Sequence, residues 1–258
     1  MRITDKIGDI ASGVYEKVLW DEVITGPIPN HVAIITDGNR RFAISRGLSS
    51  NEGHVRGKEK LEDVLEWCRE IGIKVVTVYG FSTENFSRNP EEVQFLFELI
   101  TDSLYELVED RRVKDNGIRV KVLGKIDALP KKLRDAIKKA EEETSSNNRF
   151  RLNLAIGYGG RTEIIDAVKR ISEDVKSGRM ESGDISEDTF RKYLYDGTIP
   201  DPDLVLRTSG EERVSNFLLW QSAYSELYFS DVNWPDLKKI DFLRAIHSYQ
   251  SRKRRYGS

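Results

Sequence analysis

The 258-residue chain reads as an α/β protein, a single domain (residues 1–258) built on a central, largely parallel six-stranded sheet flanked by helices. Three observations predict this. Short continuous apolar runs such as Val75-Val76-Thr77-Val78-Tyr79 are what strands covered on both faces look like. Segments of helical period alternate with them along the whole chain. Polar clusters carrying Gly, Ser and Arg repeatedly follow the strand ends. No internal repeat, low-complexity linker or composition break divides the chain.

The elements follow in order. Ile3, Ile7, Ile10, Val14 and Val18 form one stripe of an amphipathic helix within an N-terminal extension, 1–28. Asp5, Asp9, Glu16 and Asp21 offset its basic residues, so the stripe is expected to pack on the domain rather than on a membrane surface or another subunit. Residues 31–36 form the first strand, which stops at Asp37-Gly38-Asn39-Arg40-Arg41-Phe42. Gly38 permits a tight turn, and Asn39 is a good capping residue for a following helix. From His54 a helix carries Leu61, Val64, Leu65, Cys68 and Ile71 on one face and stops at Gly72. The second strand, 75–79, leads into Gly80-Phe81-Ser82-Thr83-Glu84-Asn85-Phe86-Ser87-Arg88. Asn89-Pro90 starts a helix that runs to about Lys114. Strand three is 118–123, a helix spans 127–144, and strand four is 150–156. Gly157-Tyr158-Gly159-Gly160-Arg161 and a helix follow, then a polar connector over 176–186. Strand five is 204–206, residues 217–224 read as helix or strand, strand six is 226–229, and a terminal helix covers about 237–254.

Composition narrows the function. Charge is balanced, 41 Lys+Arg against 43 Asp+Glu, so no net field recruits nucleic acid. One cysteine excludes an internal disulfide framework, and three scattered histidines argue against a histidine metal centre. Neither a bilayer-spanning run nor a secretory signal is present, so a cytoplasmic protein is expected, with a membrane-surface substrate still allowed.

Ligands of open parallel sheets bind beyond the carboxyl ends of the strands. The clusters at 37–41, 82–88, 157–161 and 207–215 should therefore converge on one edge. A helix start beside Arg40 and Arg41 suits an anion, and an acid there, Asp37, implies a bridging divalent cation. Capping is the commoner role for such an acid, but arginines recurring at 88, 207 and 213 shift the balance toward diphosphate binding. Glu226, opening strand six, is either a surface acid or a second ligand of a magnesium site. His54 is equally a helix-start residue or a phosphate contact. The Gly157–Gly160 run lacks the Walker and dinucleotide patterns, and packing explains it at least as well as phosphate binding.

His31–Phe42, Tyr79–Arg88, Asn153–Arg161 and Arg207–Phe229 together resemble the cis-prenyltransferase family, of the undecaprenyl-diphosphate-synthase type. The resemblance runs from about residue 29 to 256. It implies condensation of isopentenyl diphosphate onto an allylic diphosphate with cis double bonds, Mg²⁺, a homodimer, and a polyprenyl product delivered to the membrane surface. Matched residue by residue, Asp37 would hold Mg²⁺, and Gly38, Asn39, Arg40 and Arg41 would cradle the allylic diphosphate beside His54. Phe42 stands where the family usually has tryptophan. Ser82, Thr83, Glu84, Phe86 and Arg88 would shape the second loop, and Asn85 would assist proton removal. Arg207, Arg213, Val214 and Ser215 would bind isopentenyl diphosphate, with Glu226 as second metal ligand. Arg255-Tyr256-Gly257 resembles a C-terminal motif that reaches the partner's site. A hydrophobic tunnel is expected where Val93, Leu96, Phe97, Ile100 and Leu104 face Leu152 and Leu154.

Two departures from bacterial members, Ser50 for arginine and Glu212 for histidine, stand out. The Ser50 region and the N-terminal extension look archaeal, and the resemblance leaves geranylgeranyl or farnesyl diphosphate as primer, with archaeal members tending to prefer geranylgeranyl. Two enzyme alternatives are disfavoured. A haloacid-dehalogenase phosphatase needs an acid where Ile35 stands, and a trans-prenyl synthase needs aspartate-rich motifs that the chain lacks. A non-catalytic subunit of a heteromeric prenyltransferase usually loses the acid that Asp37 supplies.

Overall fold

The computed structural model describes residues 3–252, with side chains from Gly13 onward. Its centre is a six-stranded, all-parallel sheet of β1 (His31–Ile35), β2 (Val75–Ser82), β3 (Ile118–Leu123), β4 (Phe150–Tyr158), β5 (Leu204–Arg207) and β6 (Glu226–Phe229). The order across the sheet is β3-β4-β2-β1-β5-β6. Alternation along each strand divides the core. Val32, Ile34, Val76, Val78 and Leu152 face one layer, and Ala33, Ile35, Tyr79 and Ala155 face the other.

The first layer holds α1 (Ile3–Thr25), α3 (Ser50–Ile71), α4 (Pro90–Glu109), α6 (Lys131–Glu143) and α9 (Lys239–Ser251). On the second lie α7 (Gly160–Lys176) and α8 (Glu187–Lys192). Short helices α2 (Asn39–Ser45) and α5 (Arg111–Asp115) complete the set among the described residues.

Several expectations shift. The helix expected from His54 begins at Ser50, capped by Ser49, whose hydroxyl accepts from Glu52 N–H while the Glu52 carboxylate accepts from Ser49 N–H. Ser50 is exposed in that first turn. The helix expected to run to 114 breaks at Asp110, which caps α5 instead. Residues 217–224 form turns rather than a helix or strand, and α8 occupies a stretch with no element expected. Over the part of α1 whose side chains are described, from Gly13 onward, Leu19 and Val23 are buried, whereas Val14 and Val18 of the expected stripe are exposed. The helix extends to Thr25, and Val23 also accepts a 2.8 Å bond from Gln250 Nε2, so its inward face is set by contact with α9. Ile3, Ile7, Ile10 and the Arg255–Gly257 motif lie outside the residues described in that detail.

A buried polar chain crosses the second face of the sheet. Asn153 Nδ2 donates to Thr77 Oγ1 at 2.9 Å, and Thr77 Oγ1 lies 2.8 Å from His31 Nε2. His31 Nδ1 donates to the Pro200 carbonyl at 2.7 Å, so Nε2 is the acceptor of the Thr77 hydroxyl. Burial pushes the imidazole down to about 4. The native state therefore holds neutral His31, whereas the unfolded chain takes up the proton from about pH 6.5 downward. Stability present above pH 6.5 is lost as pH falls toward 4, by about 3 kcal/mol at most. Chemical denaturation of the native chain and His31→Gln across that interval is expected to show the shallower pH dependence in the variant; parallel profiles would contradict the assignment.

Candidate active site

The register of the sheet fixes the site. Ile35 pairs with both Tyr79 and Arg207, so β1, β2 and β5 end level with one another. Beyond them opens a cavity of about 630 Å³. Its wall brings together Asp37, Gly38, Asn39, Arg40 and Arg41 after β1; Ser82 at the end of β2 with Glu84, Asn85 and Arg88 beyond it; and Arg207 at the end of β5 with Arg213 and Ser215 beyond it. His54 enters from α3.

Arg207 anchors these loops. It is 4 % exposed. Its Nη2 donates to Asp37 Oδ2 at 2.8 Å, and its Nη1 donates to Ser215 Oγ at 2.7 Å and to the Arg213 carbonyl. Asp37 Oδ1 accepts from Gly38 N–H at 2.8 Å, and Thr208 Oγ1 donates to the Asp37 carbonyl at 2.6 Å. Gly38, at φ 105°, is the N-cap of α2, correcting the expectation for Asn39. A Cβ there would also lie 2.6 Å from Asn233 Oδ1. Because Gly38 has no capping side chain, the N–H groups of the first turn of α2 have no side-chain cap. Asn39 becomes the first helical residue, and its Oδ1 is buried without a partner.

The positive charges are held by two acids that sequence reasoning missed. Glu92 accepts from Arg88 at 3.1 Å and lies 3.9 Å from Arg40. Glu211 pairs with Arg41 and Arg213. Their positions, on a helix start and beside a glycine, resemble ordinary capping or turn acids in sequence, which hides them. Burial and the Arg40 cation both press the Arg88 guanidinium below its ordinary range. Such crowding of like charges is relieved by an anion. His54 Nε2 sits 3.1 Å from Glu92 Oε1 and so donates to it, leaving Nδ1 as the acceptor of the neutral ring. Burial holds His54 below its ordinary value despite Glu92.

Other sequence assignments do not meet at the cavity. Phe42 is buried beneath the Arg46 guanidinium, 4.3 Å from its ring centroid. Phe86 packs on Phe81 and Phe97. Thr83 and Val214 are absent from the cavity wall. The 157–161 cluster does not line it either: Gly159 and Gly160 are packing glycines, whose Cβ atoms would lie 2.5 Å from Thr83 Oγ1 and 2.7 Å from Leu219 Cγ.

Glu226 is at the wrong end. It pairs in register with Leu204, three positions before Arg207, and its carboxylate binds Arg252 at 2.6 Å. Along the strands alone this separates it from the level of Arg207 by roughly 10 Å. Within one chain it does not share a cation with Asp37. Among the described residues no group of three or more His, Cys, Asp or Glu side chains is arranged to hold a metal.

A second, mostly apolar cavity of about 380 Å³ lies between α3 and α4 over β2 and β4. Val78, Leu96, Ile100, Leu104, Leu152 and Leu154 line it. Thr36, Asn39, His54, Gly80 and Leu96 belong to both walls, so the two cavities adjoin.

An arginine-lined polar cavity adjoining a mostly apolar one suits an amphiphilic anion. The sequence comparisons are more specific. Residues 35–257 match the family model described as putative undecaprenyl diphosphate synthase, and the chain belongs to that prenyltransferase family. It is 63 % identical to the tritrans,polycis-undecaprenyl-diphosphate synthase (geranylgeranyl-diphosphate specific) of Picrophilus torridus, covering 97 % of this chain and 98 % of that one. With the synthase of the same name from Thermoplasma volcanium it shares 62 % identity over 100 % of both chains. Lavandulyl diphosphate synthase from Lavandula x intermedia, solved in complex with dimethylallyl diphosphate, superposes with a TM-score of 0.86 at 37 % identity, over 90 % of this chain and 99 % of that one. A probable undecaprenyl diphosphate synthase from Campylobacter jejuni gives 0.74 at 34 % identity, over 90 % and 100 %. The chain is a prenyltransferase of the cis chain-elongating kind.

Arg207→Lys keeps the charge but loses the fork that joins Asp37, Ser215 and the Arg213 carbonyl. Affinity for inorganic pyrophosphate, measured by calorimetry, is expected to fall about tenfold or more. An unchanged Kd would remove Arg207 from the anion site.

Proposed function

We propose that the chain condenses isopentenyl diphosphate with geranylgeranyl diphosphate, in preference to farnesyl diphosphate, and repeats the step to give a long polycis-polyprenyl diphosphate. The product is undecaprenyl-like, a precursor of a glycosyl carrier lipid, and passes to the membrane surface from a cytoplasmic homodimer. The observation that carries this reading is the junction of the two cavities: a diphosphate held by arginines has an apolar chamber immediately beneath it. The primer preference is supported by the names of the similar archaeal synthases.

The division of labour follows the matched residues. The turn Gly38–Arg41, with His54 beside it, binds the allylic diphosphate, Arg88 of the second loop shapes the same cavity, and Arg207, Arg213 and Ser215 bind the diphosphate of isopentenyl diphosphate. The allylic carbon–oxygen bond breaks with its electron pair passing to the leaving diphosphate. The terminal alkene carbon of the second substrate bonds to that carbon, and a proton leaves the neighbouring methylene to form the new double bond. Asn85 Oδ1 accepts from Ser82 N–H at 3.0 Å, so its amide group is fixed in direction. An uncharged amide orients but does not keep a proton. A diphosphate oxygen takes it.

Asp37, one carboxylate beside arginines, fits Mg²⁺ only if substrate diphosphate oxygens complete the donor set, which is this ion's usual manner of binding. When bound, Mg²⁺ would neutralise charge developing on the leaving diphosphate.

The reading is tested with purified chain, Mg²⁺, labelled isopentenyl diphosphate and each primer in turn. Incorporation is expected to favour geranylgeranyl diphosphate, and no incorporation with any primer defeats the proposal. Asp37→Ala is expected to lower kcat by about a hundredfold or more. Gly80 lines both cavities, and a Cβ there would have Ala155 O as its nearest neighbour at 3.6 Å, leaving open space beyond. Gly80→Leu should therefore fill the junction and shorten the products separated by chromatography; a native product distribution would place the growing chain elsewhere.

A further inference from the structure

The segment after β5 is the strained part of the molecule. Among the described residues, the non-glycine positions of positive φ are Ser209, Ser215, Asn216 and Leu218, all within it. Such strain persists only where the surroundings over-determine it. Asn216, at φ 66°, shows what does so. Its Nδ2 donates to Glu84 Oε1 at 2.9 Å. Its Oδ1 accepts from Arg161 N–H at 2.8 Å, and its backbone carbonyl accepts from Gly160 N–H at 2.7 Å. The chemistry fixes the direction of the amide, since the reverse orientation would set oxygen against carboxylate and NH₂ against N–H. Asparagine is the side chain that does both and also tolerates this backbone region.

Both contacts adjoin functional positions. Glu84 precedes Asn85, and Asn216 follows Ser215, the acceptor of Arg207 Nη1. The Glu84 carboxyl is pushed up by burial, but the Asn216, Ser82 and Thr83 hydrogen bonds outweigh this and hold it below its ordinary value. Gly159 is small for the same closure, because a Cβ there would lie 2.8 Å from Asn216 Nδ2.

We infer that Asn216 is a positioning residue, which clips the loop carrying Asn85 to the Arg207–Ser215 clamp and to the start of α7, so that the two halves of the site hold one separation. The inference rests on the prenyl-transfer reading for the roles of Asn85 and Ser215. Asn216 also lies on the wall of the arginine-lined cavity, but both its side-chain amide atoms are engaged, by Glu84 and by Arg161 N–H.

The test is a double-mutant cycle. Asn216→Asp keeps the acceptor for Arg161 N–H but sets a carboxylate against Glu84, and Glu84→Gln restores a donor–acceptor pair in reverse. Asn216→Asp is expected to lower kcat about tenfold and raise KM for isopentenyl diphosphate. Whatever Glu84→Gln costs alone, Asn216→Asp should cost at least about fivefold less in the Glu84→Gln background. Asn216→Gly keeps the backbone conformation and removes both side-chain bonds, and its melting temperature shows whether the fold survives. Equal losses in both backgrounds overturn the inference, as does a lowered melting temperature with native kcat and KM for Asn216→Gly. Affinity for inorganic pyrophosphate, read through the same cycle, tests the clip without turnover. A native chain inactive with every primer would defeat the prenyl-transfer reading, while coupling in pyrophosphate affinity would still sustain the clip.

Discussion

The structure depends on one buried guanidinium. Arg207 ends β5 beside Ile35 of β1, so the loops that follow both strands are measured from it. Removing an arginine from water costs several kcal/mol unless its donors are met. Asp37, Ser215 and the Arg213 carbonyl meet the two terminal nitrogens, while Nε stays buried without a partner. An incompletely paired cation at the floor of a polar cavity is a poor way to stabilise a fold and a good way to attract an anion. Its register partner matters as much as its charge. A slip of one residue between β1 and β5 would turn the side chain to the opposite face and scatter the loops.

The other arginines are kept differently. Arg40, Arg41 and Arg213 are more than half exposed and lean on Glu92 or Glu211. Exposed ion pairs of this kind contribute little to stability. A diphosphate therefore displaces them at little cost, whereas the pairs stop the cations from repelling one another beforehand. Arg88 is held below its ordinary range by burial first and by the Arg40 cation second, against the pull of Glu92. The rim is thus adjustable and the floor fixed. A site that must hold substrate and then release pyrophosphate in every cycle gains from that division.

Much of this was legible in the sequence because buried parallel strands are continuous apolar runs and their ends carry the chemistry. All six strands and the convergence of 37–41, 82–88 and 207–215 follow from that. What was not legible depends on direction and contact. Glu226 opens its strand, and a residue opening a parallel strand sits at the edge opposite the loops of its own chain. The 157–161 glycines look like a phosphate loop, but their smallness serves Thr83, Asn216 and Leu219, all distant in sequence. Val14 and Val18 share a helical stripe with earlier isoleucines, yet the burial of α1 is set by α9, more than 200 residues later. The role of Asn216 is likewise long-range: Glu84 is 132 positions away.

The junction between the cavities is where polarity changes along the site. Thr36, Asn39, His54, Gly80 and Leu96 face both the arginine-lined and the apolar chamber. A charged head group is not drawn into the apolar side, because desolvating it without partners is prohibitive. A hydrocarbon gains about 0.8 kcal/mol for each CH₂ it withdraws from water. The boundary therefore favours one orientation of an amphiphilic anion, with its head group on the arginine side and its hydrocarbon on the apolar side. Arg207 and the Asn216 clip hold the polar side of that boundary, and the apolar residues of α3, α4, β2 and β4 supply the other. Fold and site are in this sense one construction: the strand ends that stop the sheet also mark where polarity changes along the substrate.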